Sequence, residues 1–226
     1  MESTAAPFAD EAMTETDSSH CRLCLVTPPD VAPATFAAAL DEALSGGEVA
    51  SLFITADPAS IAALAKAIVP VAQAHGVAAI VVNDTQLAGH ARADGVHVDT
   101  GRADLSAAIE SFRPARMVGA GGIRSRHDAM TVGEVDPDYV FFGRLDGDTG
   151  PEIFDKALGL AGWWAAIFQI PAVVMGGASI ESVKEARDSG IEFVALRRAV
   201  WEHPEGPGEA VRQANALLAA TTEDAQ

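Results

Sequence analysis

The chain has 226 residues, 49% of them hydrophobic and only 6% aromatic, and a formal net charge of −17. That length is near the lower end for a complete (β/α)8 barrel and leaves little room for a second domain. The acidity argues against a nucleic-acid or anionic-membrane partner. No apolar stretch reaches the roughly 20 residues of a membrane span, and the longest, Leu158–Ile170, is broken by Gly162 and Gln169.

Residues 1–20 carry five acidic side chains and no Lys or Arg. They lack the basic start and apolar middle of a secretory signal, so they read as a disordered acidic tail on a cytoplasmic protein. Residues 221–226 read as a frayed C-terminus. Between them, 21–220 is expected to form one domain with a repeating beat: a short apolar run, a small-residue turn, then an Ala-rich helical stretch. The runs are Arg22–Thr27, Val49–Thr55, Val77–Asn83, Gly95–Val98, Arg116–Gly119, Tyr139–Gly143, Ala172–Gly176 and Glu192–Leu196. Short, continuous runs of Val, Ile, Leu and Phe suit strands buried on both faces of a parallel sheet. Crossover helices fit between them, and eight such units predict a single α/β domain, a closed (β/α)8 TIM barrel.

Helix punctuation follows the same order. Cys21 and Cys24 open the first strand, where residues three apart face opposite sides; with no second Cys pair to complete a metal cage, they read as small hydrophobes. Pro33 precedes a helix over Phe36–Leu44 that stops at Ser45-Gly46-Gly47. Asp57 as N-cap and Pro58 at the first position open the next helix, which His75-Gly76 closes. Asp104 is a candidate cap for Leu105–Phe112. Asp155–Phe168 carries Trp163 and Trp164, about 100° apart around a helix, one on the barrel and one nearer the rim. Ser179 caps a helix over Ile180–Ser189, and a final helix lies near Glu209–Ala219.

In a barrel of this type the loops after the strands share one mouth. There, Gly176-Gly177 is the strongest candidate: bare amides can approach an anion, and loops after strands seven and eight recurrently hold phosphate. The alternative is a tight turn. Leu196-Arg197-Arg198 is expected to start the short extra helix of such a site. Asn83-Asp84 ends the third strand, where Asp84 either holds magnesium or caps the following helix. Asp99 and Asp104 are candidates for a second metal carboxylate. His97 titrates near neutral pH, although a packed, hydrogen-bonded histidine is the commoner case. The loop Asp146-Gly147-Asp148-Thr149 would repel a phosphate unless a cation intervened.

Leu25-Val26-Thr27, Val82-Asn83-Asp84, Ala93-Asp94-Gly95-Val96-His97, Asp138–Gly143 and Ile170–Gly177 resemble, in the right order, the thiamine phosphate synthase and thiazole tautomerase superfamily. The resemblance spans about 21–215 and implies a transferase of thiamine biosynthesis. Such an enzyme joins hydroxymethylpyrimidine diphosphate to thiazole phosphate and releases diphosphate, with magnesium and basic side chains around the leaving group. It implies a small phosphorylated heterocycle as partner and a TIM barrel as fold; barrels of this size often also pair as homo-oligomers. Asp84 matches a metal-binding aspartate, and Gly176 and Gly177 match a phosphate-binding glycine pair. Asn83, His97, Arg197 and Arg198 join them as candidate ligand contacts, with Arg144 as a replacement cation. The chain departs from the pattern at Ser51–Thr55, where Q-x-R-x-K is usual, and at Arg144–Thr149, where a loop ending in Lys is usual. It departs again at Gly121 for Ser, Arg102 for the second metal Asp, and Arg197 for a phosphate-binding Ser. The tautomerase histidine falls at Ile123, with His127 one helical turn later. These departures leave open a non-catalytic phosphate-binding protein, or another isomerase or lyase on the same barrel.

Overall fold

The computed structural model describes residues 20–220; apart from His20, both expected tails lie outside it. Eight parallel strands close into a barrel in chain order, with β8 paired back to β1. They are β1 (Arg22–Val26), β2 (Ser51–Ile54), β3 (Ala78–Val82), β4 (Gly95–Val98), β5 (Met117–Ile123), β6 (Tyr139–Phe142), β7 (Ala172–Met175) and β8 (Phe193–Leu196). The outer ring is α1 (Pro33–Ser45), α2 (Ile61–Ala74), α3 (Thr85–His90), α4 (Arg102–Phe112), α5 (Arg126–Gly133), α6 (Asp155–Ala165) and α7 (Val183–Asp188), then the short α8 (Arg198–Trp201) and α9 (Pro207–Ala219). None of these helices is long and apolar enough to cross a membrane.

Strand alternation divides the core into two layers. Leu23 and Leu25 face the helices, whereas Cys24 and Val26 face the lumen with Phe53, Ile80, Tyr139, Phe141, Val173, Met175 and Ala195. Cys21 belongs to the outer layer, so the two thiols are separated by the sheet. Burial pushes the Cys21 thiol up to about 12 and the Cys24 thiol up to about 11. Neither is a thiolate near neutral pH, and both act as packing groups. Lumen volume is shared by exchange: a Cβ on Gly119 would overlap the Tyr139 ring, so the missing side chain on β5 makes room for the large one on β6.

Three local expectations are corrected. The fifth strand runs on to Ile123, four residues beyond its predicted end, because Gly121 and Gly122 carry it across a register irregularity between Ala120 and Ile123, with Gly122 at φ 74°. Asp57 does not cap α2 with its side chain. Its carbonyl accepts from the Ser60 and Ile61 N–H groups, and a turn precedes the helix at Ile61. The helix expected over 180–189 is a 3-10 turn at Ile180–Ser182 followed by α7, with Ser179 accepting from Glu181 N–H at 3.3 Å.

The tryptophan pair divides as helical spacing requires. Trp164 is fully buried, stacks on Phe168 at 3.9 Å, and donates Nε1–H to the Ile170 carbonyl at 2.8 Å. Trp163 is half-buried beneath the Arg126 guanidinium, 4.7 Å from its ring. Trp164→Ala should cost about 3–5 kcal/mol, a cavity plus one orphaned carbonyl. Urea denaturation checks this; a loss below about 1 kcal/mol would contradict the packing described.

Candidate active site

The loops at the C-terminal ends of the strands open into a cavity of about 990 Å³. Its floor includes Val82, His97, Phe141 and Met175, and its walls carry Asp57, Asn83, Asp99, Arg124, Arg144, Asp146, Lys156 and Arg197. Neighbouring loops are tied by paired hydrogen bonds. The Thr27 hydroxyl donates to the Thr55 carbonyl at 2.5 Å and accepts the Thr55 N–H at 2.8 Å. Asn83 donates to Asp99 Oδ1 at 2.7 Å and accepts the Asp99 N–H at 3.0 Å. Asn83 holds this clasp at φ 59°, a left-handed conformation that Asn tolerates better than most residues.

His97 is 1% exposed and lies in the lumen. Its Nδ1 is 3.2 Å from the Tyr139 hydroxyl, and the two rings stack at 5.8 Å. The edges of Phe53 and Phe141 complete its surroundings. Burial pushes the imidazole down to about 4, with Asp99 opposing, so the ring is neutral near pH 7. Burial also raises the Tyr139 pKa well above its ordinary value, which keeps the phenol protonated and able to donate to Nδ1. That arrangement leaves Nε2–H as a donor. Among the described residues Nε2 has no hydrogen-bond partner, yet no buried side-chain N or O there lacks one, so Nε2 opens to the cavity His97 lines. A Cβ at Gly121 would sit 2.5 Å from Nε2, so glycine at that position leaves the ring its space.

The anion cradle expected open at Gly176-Gly177 is closed in this structure. The Gly176 N–H bonds the Ala195 carbonyl at 2.8 Å, and the Gly177 N–H bonds Ser182 Oγ at 3.0 Å. The following N–H groups, of Ala178 and Ser179, bond the carbonyls of Gly150 (2.7 Å) and Pro151 (3.2 Å). A Cβ at Gly177 would lie 2.1 Å from the Pro151 oxygen, so the glycine serves close packing of the β6–α6 loop. That loop also buries Asp148, which is 1% exposed and pairs with Arg197 through Nε and Nη2.

The other predicted site residues divide. Asn83, His97, Asp99, Arg144 and Arg197 all line the cavity. Asp84 is not part of that lining; its carboxylate accepts the Leu87 N–H at 2.7 Å through Oδ1 and caps α3. Asp104 is exposed in the first turn of α4. Among the described residues no three His, Cys, Asp or Glu side chains gather as a metal site. Arg198 turns its guanidinium to Glu202, at 3.0 Å, away from the cavity. Arg144 is 82% exposed and paired with Asp146 at 2.8 Å.

A profile described as thiamine monophosphate synthase matches residues 23–200. The chain belongs to that family. It is 36% identical over 212 residues to a thiamine-phosphate synthase of Rhodospirillum centenum, covering 88% of this chain and 99% of the relative. A thiamine-phosphate synthase of Hyphomonas neptunium is 33% identical over 206 residues, 87% and 93% of the two chains. Among solved structures, thiamine phosphate pyrophosphorylase from Pyrococcus furiosus superposes with a TM-score of 0.71 at 20% identity, over 89% of this chain and 96% of the other. At that identity the superposition speaks for the fold.

Within this thiamine monophosphate synthase family member, three cavity residues escape a reading of the loops alone. Arg124 was hidden by ending β5 at Gly119, which moved its loop off register. Lys156 lies in the first turn of α6, past the Arg144–Thr149 loop where a Lys is usual, and lines the same cavity. Phe154, 67% exposed, precedes α6 and lies beyond the Arg144–Thr149 loop.

The neutral His97 has a measurable consequence. Its folded pKa of about 4 lies below the ordinary 6.5, so the folded state binds fewer protons than the unfolded chain between those values. Its contribution to stability is complete above pH 6.5 and is lost as pH falls toward 4. Between about pH 7.5 and about pH 5, wild type should lose about 2 kcal/mol more than His97→Gln in urea denaturation. Parallel pH profiles would contradict a buried, neutral imidazole.

Proposed function

We propose that the chain is a thiamine-phosphate-synthase-type transferase of the cytoplasm, acting on small phosphorylated heterocycles at the barrel mouth. The observation that carries this reading is the convergence of Arg124, Arg144, Lys156 and Arg197 on one cavity whose floor holds a neutral His97. Lys156, reaching in from α6, supplies the positive charge that the acidic loop after β6 lacks. In the reaction, the C–O bond between the pyrimidine methylene carbon and the diphosphate breaks, and its electron pair leaves with the diphosphate. The thiazole nitrogen lone pair forms the new C–N bond, giving a thiazolium product.

Positive charge develops on the pyrimidine methylene as the bond breaks. A protonated histidine close by would oppose it; a neutral one does not. His97 instead offers Nε2–H to orient a ring, while Lys156 and Arg124 compensate the negative charge gathering on diphosphate. The Asn83–Asp99 clasp holds a carboxylate on the wall. Magnesium commonly binds through one or two carboxylates plus substrate phosphates, and Asp99 is the predicted metal residue that lines the cavity. In this reading Asp99 would hold magnesium, which would supply positive charge to the leaving diphosphate.

Purified protein given hydroxymethylpyrimidine diphosphate, thiazole phosphate and magnesium should release diphosphate and thiamine phosphate in equal amounts. Lys156→Ala should lower kcat/KM about 10²–10³-fold, the cost of removing one preorganised charge from a leaving group. Absence of product from wild type above the uncatalysed background would remove the reading. Unchanged kinetics in the Lys156 variant would remove the assigned role of that residue.

A further inference from the structure

The β6–α6 loop places its own groups on the donors of the β7 and β8 loops. Asp148 is a fully buried carboxylate in an otherwise exposed stretch, between Gly147 and Thr149. Its Oδ2 accepts the Arg198 N–H at 2.8 Å and lies 3.3 Å from Arg197 Nε, while Oδ1 pairs with Arg197 Nη2. Two and three residues on, the Gly150 and Pro151 carbonyls satisfy the Ala178 and Ser179 amides. One short strap therefore saturates donors from both loops that commonly hold phosphate in this architecture. Arg197 is only 14% exposed and meets a carboxylate through two of its nitrogens, the geometry with which guanidinium groups also meet phosphate.

We propose that Asp148 is an internal stand-in for the phosphate of the azole substrate, and that it sets specificity by holding Arg197 and the Arg198 N–H until a ligand phosphate displaces it. This rests on the reading of the mouth as the site of a phosphorylated azole. Both anions cannot occupy the same donors: two negative groups within a few ångströms in a poorly solvated site repel strongly. Binding of the phosphate therefore requires strap residues 148–151 to leave, and the apparent affinity is reduced by the fraction of molecules in which the strap is open. A ligand without phosphate has nothing to exchange for Asp148 and gains nothing from the donors beneath it. Asp148 thus makes occupancy of this end of the cavity conditional on an anion able to replace a carboxylate.

The test is calorimetric titration of wild type and Asp148→Asn with thiazole phosphate and with the corresponding unphosphorylated thiazole alcohol. The variant keeps the side-chain size and removes the competing charge. It should bind thiazole phosphate at least about tenfold more tightly than wild type, with affinity for the alcohol unchanged. Hydrogen exchange on wild type supplies a readout independent of the variant's folding. Saturating thiazole phosphate should speed exchange in 146–152 if the strap is expelled. Equal or weaker binding by a folded Asp148→Asn, or unchanged strap protection in saturated wild type, would overturn the proposal. Tight binding with strap release but no product would instead remove the transferase reading and leave the exchange of anions standing. No binding of thiazole phosphate to either protein would remove both.

Discussion

A closed parallel sheet sends the C-terminal end of every strand to the same side, and the chemistry available to this chain follows from that constraint. Residues as distant in sequence as Thr27, His97 and Arg197 line one cavity because each lies at or just beyond the end of a strand. Closure alone would leave eight loose loops, and hydrogen bonds between neighbours make them a surface. Thr27 and Thr55 join the first two, and Asn83 and Asp99 join the third and fourth. The strap from the sixth loop joins the seventh and eighth. Local strain at Asn83 is tolerated because both ends of its amide are engaged.

Charge is distributed against the average. The chain is strongly acidic overall, yet Arg124, Arg144, Lys156 and Arg197 meet at the mouth. Two of them already have internal partners, Arg144 with Asp146 and Arg197 with Asp148. Their pairings differ in kind. Arg144 with Asp146 is an exposed pair of small energetic weight, readily exchanged for another anion. Arg197 with Asp148 is buried, and removing one partner without replacement would leave an uncompensated charge. Below them the lumen is kept free of charge: His97 is neutral by desolvation and Tyr139 protonated for the same reason. Cations at the rim over a neutral floor suit a reaction in which an anion departs upward from a carbon that becomes positive.

The barrel was legible in the sequence because its signal is repeated. Each strand is a short aliphatic run between small-residue turns, and eight repeats leave few alternatives. The two layers were also legible, since Cys21 and Cys24 separate as alternation requires, and the adjacent tryptophans separate as helical spacing requires. Loop chemistry was less legible, because one residue type there serves competing ends. Asp84 reads equally as a metal ligand or a cap, and in this structure one of its oxygens takes the cap. Gly176-Gly177 reads first as open amides and second as a tight turn, whereas in the structure the close approach of Pro151 accounts for Gly177. Asp148 looks like one more surface acid, and nothing local marks it as buried; its partner Arg197 is 49 residues away. Arg124 was lost for a different reason, a strand that continues through two glycines where glycine usually ends one.

A crystal structure with thiamine phosphate bound tests most directly whether the barrel mouth is the site of the heterocycles. The expected density places the pyrimidine and thiazolium rings inside the cavity, one of them within hydrogen-bonding distance of His97 Nε2, with the phosphate on Arg197. Product bound elsewhere on the barrel, with water alone above His97, would contradict the assignment of the mouth and the roles given to the residues around it.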